Sequence, residues 1–204
     1  MDIARLKACR VLPVITTLDV RSTVELVGAL VKGGMEAVEI TLRGPGALAS
    51  ISEVKAAYPD LLMAAGTVKT PEDLASVRLA GADMALSPAA TPTLLAAAAD
   101  DELPFIPSVA TSSELMQGLE LGFKVFKLFP AQLLGGPAML KSLSGPFPEA
   151  SFVPTGGVNA ENFRAYLEMA NVLCCGGSWM VTEELVAGQR WGEIEGLARQ
   201  AMTS

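Results

Sequence analysis

Three stretches of the 204-residue chain hold reactive side chains at spacings that could do chemistry. In Ala37-Val38-Glu39-Ile40-Thr41-Leu42-Arg43, polar Glu39, Thr41 and Arg43 alternate with apolar residues. At a strand's period of two, the polar set shares one face and Val38, Ile40 and Leu42 share the other. A carboxylate and a guanidinium on one face could move protons and hold an anion; a structural Glu39–Arg43 ion pair fits the same spacing. In Phe123-Lys124-Val125-Phe126-Lys127-Leu128-Phe129-Pro130, Lys127 is in phase with Phe123, Val125 and Phe129. Apolar surroundings disfavour an ammonium and lower its pKa, which leaves an amine able to attack a ketone and form a Schiff base. A lysine that snorkels its head to solvent is the plainer alternative, and it also suits Lys124.

Two glycine pairs form the third feature, Thr155-Gly156-Gly157-Val158 and Gly176-Gly177-Ser178-Trp179. Glycines let backbone N–H groups approach an anion, and a following helix N-terminus adds its dipole. The two turns are therefore candidates for phosphate binding, although each pair could serve only as a turn. Thr67, in Ala65-Gly66-Thr67-Val68, could orient a substrate carboxylate with Arg43, or simply start a helix. Trp179 and Met180 read as core.

Absences narrow the chemistry. The chain has no histidine, which removes Ser-His-Asp and Cys-His nucleophile activation and the usual nitrogen ligands for zinc. Cys9, Cys174 and Cys175 make neither a disulfide framework nor a CxxC metal motif, so no metal or other cofactor is expected. Free thiols point to a reducing compartment, the cytoplasm. Fifteen basic against 22 acidic residues give a net charge of −7, which argues against nucleic acid or an anionic membrane as partner. The N-terminal apolar run is broken by Arg5, Lys7, Arg10 and Pro13 and is too short for a signal peptide; the longest uncharged stretch, Met84 to Ala99, contains Pro88 and Pro92 and spans no membrane.

These residues need a scaffold, and β-favouring runs alternate with helix-compatible stretches throughout. Strands are expected at Val11–Ile15, Ala37–Leu42, Leu61–Ala65, Asp83–Leu86, Pro104–Ile106, Phe123–Leu128, Ser151–Val153 and Val172–Cys174. They start about every 23 residues, near the minimum for a strand, a crossover helix and two loops. Arg21–Lys32 reads as a helix with Val24, Val27 and Val31 on one face and Gly33-Gly34 as its stop. Thr70-Pro71-Glu72-Asp73 reads as a helix start, and Ser113-Glu114 and Asn159-Ala160-Glu161 resemble it. Residues 1–204 are expected to form a single α/β domain, a (β/α)8 TIM barrel with a short N-terminal helix, in preference to an open doubly wound sheet. In such a barrel the C-terminal strand ends carry the reactive groups, and the loops after strands seven and eight bind phosphate.

With these residues in hand, the chain resembles the 2-keto-3-deoxy-6-phosphogluconate (KDPG) aldolases, which often also cleave 4-hydroxy-2-oxoglutarate. The likeness covers nearly the whole length through Val14-Ile15, Val38-Glu39-Ile40-Thr41-Leu42-Arg43, Gly66-Thr67-Val68, Ser87-Pro88, Phe126-Lys127-Leu128-Phe129-Pro130-Ala131, Gly135-Gly136, Pro154-Thr155-Gly156-Gly157 and Gly176-Gly177-Ser178-Trp179. It implies a homotrimeric class I lyase that needs no metal, with Lys127 as Schiff-base nucleophile and Glu39 as general acid and base, acting through a bound water. It also implies Arg43 and Thr67 on the pyruvyl carboxylate, Thr155 on a substrate hydroxyl, and Gly156, Gly157, Gly177 and Ser178 on phosphate. The partner is then a 2-oxo acid. Thr155, where aldolases of the galactonate epimer are expected to carry valine, favours the gluconate substrate. The chain departs from its relatives at Pro88-Ala89, Pro107-Ser108 and Gln132, around the mouth of the site. A phosphate-binding isomerase or synthase barrel would share the glycines without needing Lys127, and a non-catalytic sugar-phosphate sensor would have lost Lys127 or Glu39.

Overall fold

A computed structural model describes residues 3–203 of the chain. Four strands, β1 (Val11–Thr16), β2 (Ala37–Thr41), β3 (Leu62–Gly66) and β4 (Met84–Leu86), pair in parallel in chain order, and β5 (Phe105–Ile106) continues the series beside β4. A second group joins β6 (Ser108–Val109), β7 (Val125–Leu128) and β8 (Ser151–Pro154), also in parallel. The last strand, β9 (Cys175–Gly177), pairs with β1, and the bridges Phe152–Val172 and Thr155–Gly176 tie its segment to β8. Only Pro107 separates β5 from β6, so the two are halves of one strand and the ring is an eight-stranded α/β barrel.

The strand expected at Pro104–Ile106 is thus extended and broken. Proline has no N–H to give a ladder, yet its carbonyl still accepts from Lys127 N at 2.9 Å. One half of the strand serves β4 and the other serves β7. The final strand is a clearer correction: it was expected at Val172–Cys174 and lies at Cys175–Gly177. Val172 meets β8 only through a bridge, whereas the ladder to β1 begins at Val11–Cys175. Gly176 and Gly177 therefore belong to a buried strand and not to the turn expected there. Gly176 is needed because a Cβ would land on Thr155 Oγ1. Phe123 and Lys124 precede β7 and do not join it.

Helices cover the ring: α2 (Val20–Lys32), α3 (Ala47–Ala57), α4 (Pro71–Leu79), α5 (Pro92–Ala99), α6 (Ser112–Glu120), α7 (Pro137–Ser144), α8 (Phe163–Leu167), α9 (Glu183–Ala187) and α10 (Trp191–Thr203). A preceding α1 (Ile3–Ala8) contributes Leu6 to the barrel interior. The helix signals at Thr70 and beyond act as local chemistry requires: Thr70 caps α4 in a reciprocal box with Asp73. The cap of α6 is Thr111 with Glu114, two residues before the expected Ser113. Asn159 caps only a turn, accepting from Glu161 N and Asn162 N, and α8 starts later at Phe163.

Alternation along β2 divides the core. Val38 and Ile40 point outward with Leu26, Phe126 and Phe152 into the layer beneath the helices. Ala37 joins Leu12, Leu62, Met84, Ile106, Val125 and Val153 inside the barrel. This apolar plug fills the lower interior, so the polar residues that follow along the same inward face, Glu39 and Thr41, come together at the C-terminal strand ends.

Candidate active site

Lys127 on β7 and Glu39 on β2 meet across the barrel, with Nζ 2.9 Å from Oε1 and 3.3 Å from Oε2. They are 5% and 1% exposed, so the ammonium does not reach solvent. The partner of Glu39 is Lys127, not Arg43, and the contact is direct. Phe129 places its ring centroid 5.9 Å from Nζ and adds an apolar, weakly attractive wall. A buried pair of this kind is weak evidence for stability, because desolvating both ions offsets their attraction. Its chemical value is clear, since a proton can pass between amine and carboxylate along one hydrogen bond.

One cavity of about 120 Å³ holds the pair together with Arg43, Thr67 and Thr155, and with Val14, Thr41, Pro88 and Phe129. Arg43 lies in the turn just beyond β2, and its Nε donates to Thr41 Oγ1 at 3.3 Å. The Thr41 hydroxyl gives its own proton to Ile15 O at 2.8 Å, so its oxygen faces the guanidinium as an acceptor. Thr67, directly after β3, has φ +63°, a left-handed conformation unusual for a β-branched residue and one that stores strain at the cavity wall. Ser178 lines an adjoining hollow of about 450 Å³ that shares Val14 and Arg43 with the first. Gly156, Gly157 and Gly177 line neither space. Gly156 and Gly157 form a turn after β8 with φ +94° and +77°.

Thr41, Phe129, Pro88 and Gly66 also belong to this site, although sequence reasoning assigns none of them a role in it. Thr41 carried a signal, because it shares the polar face of its strand with Glu39. Gly66 carried none: its lack of a side chain matters only because the Glu39 carboxylate occupies the space where a Cβ would stand. A larger hollow, about 540 Å³, is lined by Arg5, Met35, Glu36, Tyr58, Asp60 and Leu61 among others. Glu36 and Leu61 immediately precede β2 and β3, so it lies at the N-terminal end of the barrel, away from Lys127.

A barrel whose strand ends present a buried lysine–carboxylate pair beside an arginine is of the kind that does carbonyl chemistry through an enzyme-bound imine. The family model of KDPG and KHG aldolases matches residues 3–197. The 2-dehydro-3-deoxy-phosphogluconate aldolase of Pseudomonas aeruginosa is 42% identical over 196 residues, covering 96% of this chain and 89% of that one. The KDPG aldolase from Legionella pneumophila, solved with pyruvate captured at low pH as a covalent carbinolamine intermediate, superposes with a TM-score of 0.95 at 43% identity and covers 98% of each chain. The enzyme of Zymomonas mobilis ZM4, solved with 3-phosphoglycerate, gives 0.91 at 35% identity and covers 99% of this chain and 95% of that one. The chain belongs to the KDPG and KHG aldolase family.

Proposed function

We propose that this protein is a class I aldolase that cleaves 2-dehydro-3-deoxy-6-phosphogluconate to pyruvate and glyceraldehyde 3-phosphate, and 4-hydroxy-2-oxoglutarate to pyruvate and glyoxylate. The observation that carries this reading is the buried 2.9 Å contact between Lys127 and Glu39 in one cavity with Arg43 and Thr67. Glu39 takes a proton from the Lys127 ammonium, and the freed lone pair adds to the C2 carbonyl carbon. The C2 oxygen takes that proton back, which gives a carbinolamine. Glu39 then removes a proton from nitrogen and returns it to the hydroxyl, so water leaves as the nitrogen lone pair forms the iminium. With the iminium as electron sink, Glu39 accepts the C4 hydroxyl proton. The C4 oxygen forms the aldehyde, and the C3–C4 electrons pass into an enamine. Protonation of C3 by Glu39 and hydrolysis of the iminium release pyruvate.

Arg43 and Thr67 hold the pyruvyl carboxylate, which sets C2 against Nζ. Thr155 contacts a hydroxyl of the substrate and favours the gluconate over the galactonate epimer. Gly156, Gly157, Gly177 and Ser178 hold the phosphate, whose binding energy orients the scissile bond. The resemblance supports a homotrimer that works in the cytoplasm on the Entner–Doudoroff route. Among the described residues no helix is long and apolar enough to cross a membrane.

Borohydride reduction with pyruvate, read by mass spectrometry, is expected to leave one adduct on Lys127 and none in Lys127→Ala. An adduct that persists in that variant removes Lys127 as nucleophile. Turnover of the gluconate and galactonate phosphates beside hydroxyoxoglutarate then reads the substrate preference, with the gluconate phosphate expected first.

A further inference from the structure

The turn after β8 is held from behind at three consecutive carbonyls. Ala131 N donates to Thr155 O at 2.8 Å, Gln132 N donates to Gly156 O at 3.0 Å, and Asn162 Nδ2 donates to Gly157 O at 2.9 Å. In a planar trans peptide the N–H of the next residue points opposite to the carbonyl. Pinning these three carbonyls therefore turns the N–H groups of Gly156, Gly157 and Val158 the other way. The bridge between Thr155 and Gly176 aims the Gly156 N–H at the last strand, whereas among the described residues the N–H groups of Gly157 and Val158 have no protein acceptor. Two successive outward N–H groups of this kind make a concavity for an anion.

Two of these donors are backbone; the third, the Asn162 side chain, is fixed in turn through Gln132. Tyr166, fully buried, donates its hydroxyl to Gln132 Oε1 at 2.9 Å, and Asn162 Nδ2 reaches the same oxygen at 3.4 Å. Asn162 Oδ1 accepts from Asn159 N at 2.8 Å. Asn162 stands at the N-cap of α8 yet makes no capping bond there. An asparagine at that position ordinarily accepts from the second or third helical N–H. Here it faces back to the glycine turn instead. Gln132 also occupies the space a side chain at Gly157 would need, so the turn and the clamp fit only with glycine there.

We infer that Asn162, Gln132 and Tyr166 are positioning residues that specify phosphorylated substrates. They touch no substrate themselves, but hold the Gly157 and Val158 N–H groups in the phosphate-receiving orientation. This rests on the reading that the Gly156-Gly157 turn receives the phosphate of a 2-oxo acid. The clamp adds selectivity for one end of the substrate and none for its pyruvyl end, which lies with Lys127 and Arg43.

The test compares kcat and KM for 2-dehydro-3-deoxy-6-phosphogluconate and for 4-hydroxy-2-oxoglutarate in wild type, Asn162→Leu, Gln132→Leu and Gln132→Glu. Asn162→Leu and Gln132→Leu are expected to raise KM for the phosphorylated substrate about tenfold or more, with a much smaller effect on kcat or on hydroxyoxoglutarate. Gln132→Glu keeps an oxygen for Tyr166 and Asn162, and should stay nearer wild type than Gln132→Leu. Equal losses on both substrates, or no loss on either, overturn the clamp. Should the leucine variants fail to fold, Tyr166→Phe removes a single hydroxyl and must give the same substrate bias; an unbiased result there also overturns it. Wild-type enzyme that traps pyruvate but shows no advantage for the phosphorylated substrate refutes the functional reading itself, and the clamp falls with it.

Discussion

Lys127 donates to both carboxylate oxygens of Glu39 in the barrel interior, so anything that displaces either group acts directly on proton transfer. Gly66 is the sharpest case, because a Cβ there would coincide with the Glu39 carboxylate. Gly66→Ala is expected to lower kcat about 100-fold while the circular dichroism spectrum is preserved, since a displacement of about an ångström is enough. Activity within a few-fold of wild type would mean that the carboxylate has room to move without cost to the chemistry. Thr67 illustrates the opposite balance. Its left-handed backbone costs stability that a glycine would recover, whereas the residue lines the cavity. Thr67→Gly is expected to gain about 1 kcal/mol in urea unfolding and to weaken pyruvate trapping, because strain at a functional site is kept for the group it presents. A variant that is less stable and traps pyruvate as well as wild type would contradict both halves of that argument.

The helix starts can be tested one by one, and α6 has the most complete box. Glu114 Oε2 accepts from Ala110 N and Thr111 N, each at 2.8 Å, and from Thr111 Oγ1 at 2.9 Å. Partial desolvation pushes its carboxyl up, but the hydrogen bonds from Ala110 and Thr111 prevail and hold it below the ordinary 4.5. A carboxyl depressed by folding contributes stability above its unfolded value and loses it as pH falls through the folded one. Thr111→Ala should cost about 1 kcal/mol near neutrality. The gap in urea midpoint between wild type and Glu114→Gln should shrink as pH drops below 4.5; a gap independent of pH would mean the carboxylate is not what closes the box. Such local signals explain what the residues disclosed in advance. The helix expected at Arg21–Lys32 differs from α2 by one residue, because Asp19 and Gly33 mark its ends chemically. Strand positions that depend on distant partners were less legible. Cys175–Gly177 is a strand because β1 offers it a ladder, and its glycines suggested a turn. Glu39 and Lys127 were legible from period two, but Gly66 and the carbonyl clamp behind Gly157 exist only once separate elements meet.

At the level of the whole barrel, closure rests on the seam where β9 meets β1, and the chain's three cysteines mark it. Cys175 pairs in register with Val11, Cys174 packs inside the barrel, and Cys9 stands just before β1 in the same interior cluster. All three are free and buried. Burial pushes the Cys9 thiol up to about 11 and the Cys175 thiol up to about 12, and it raises Cys174 as well. Thiol reagents attack the thiolate, so the native molecule presents neither the reactive form nor access to it. Reaction requires the seam to open. If the barrel opens only as a unit, labelling by a disulfide reagent across a urea series should rise from near zero to three thiols per chain, at the same midpoint as the loss of helical circular dichroism. Cysteines that label well before that midpoint would show β9 parting from β1 while the rest of the ring stays folded. The ring would then behave as an open sheet with a loosely attached final strand, and the cavity walls contributed by Thr155 and Ser178 would be the first to be lost.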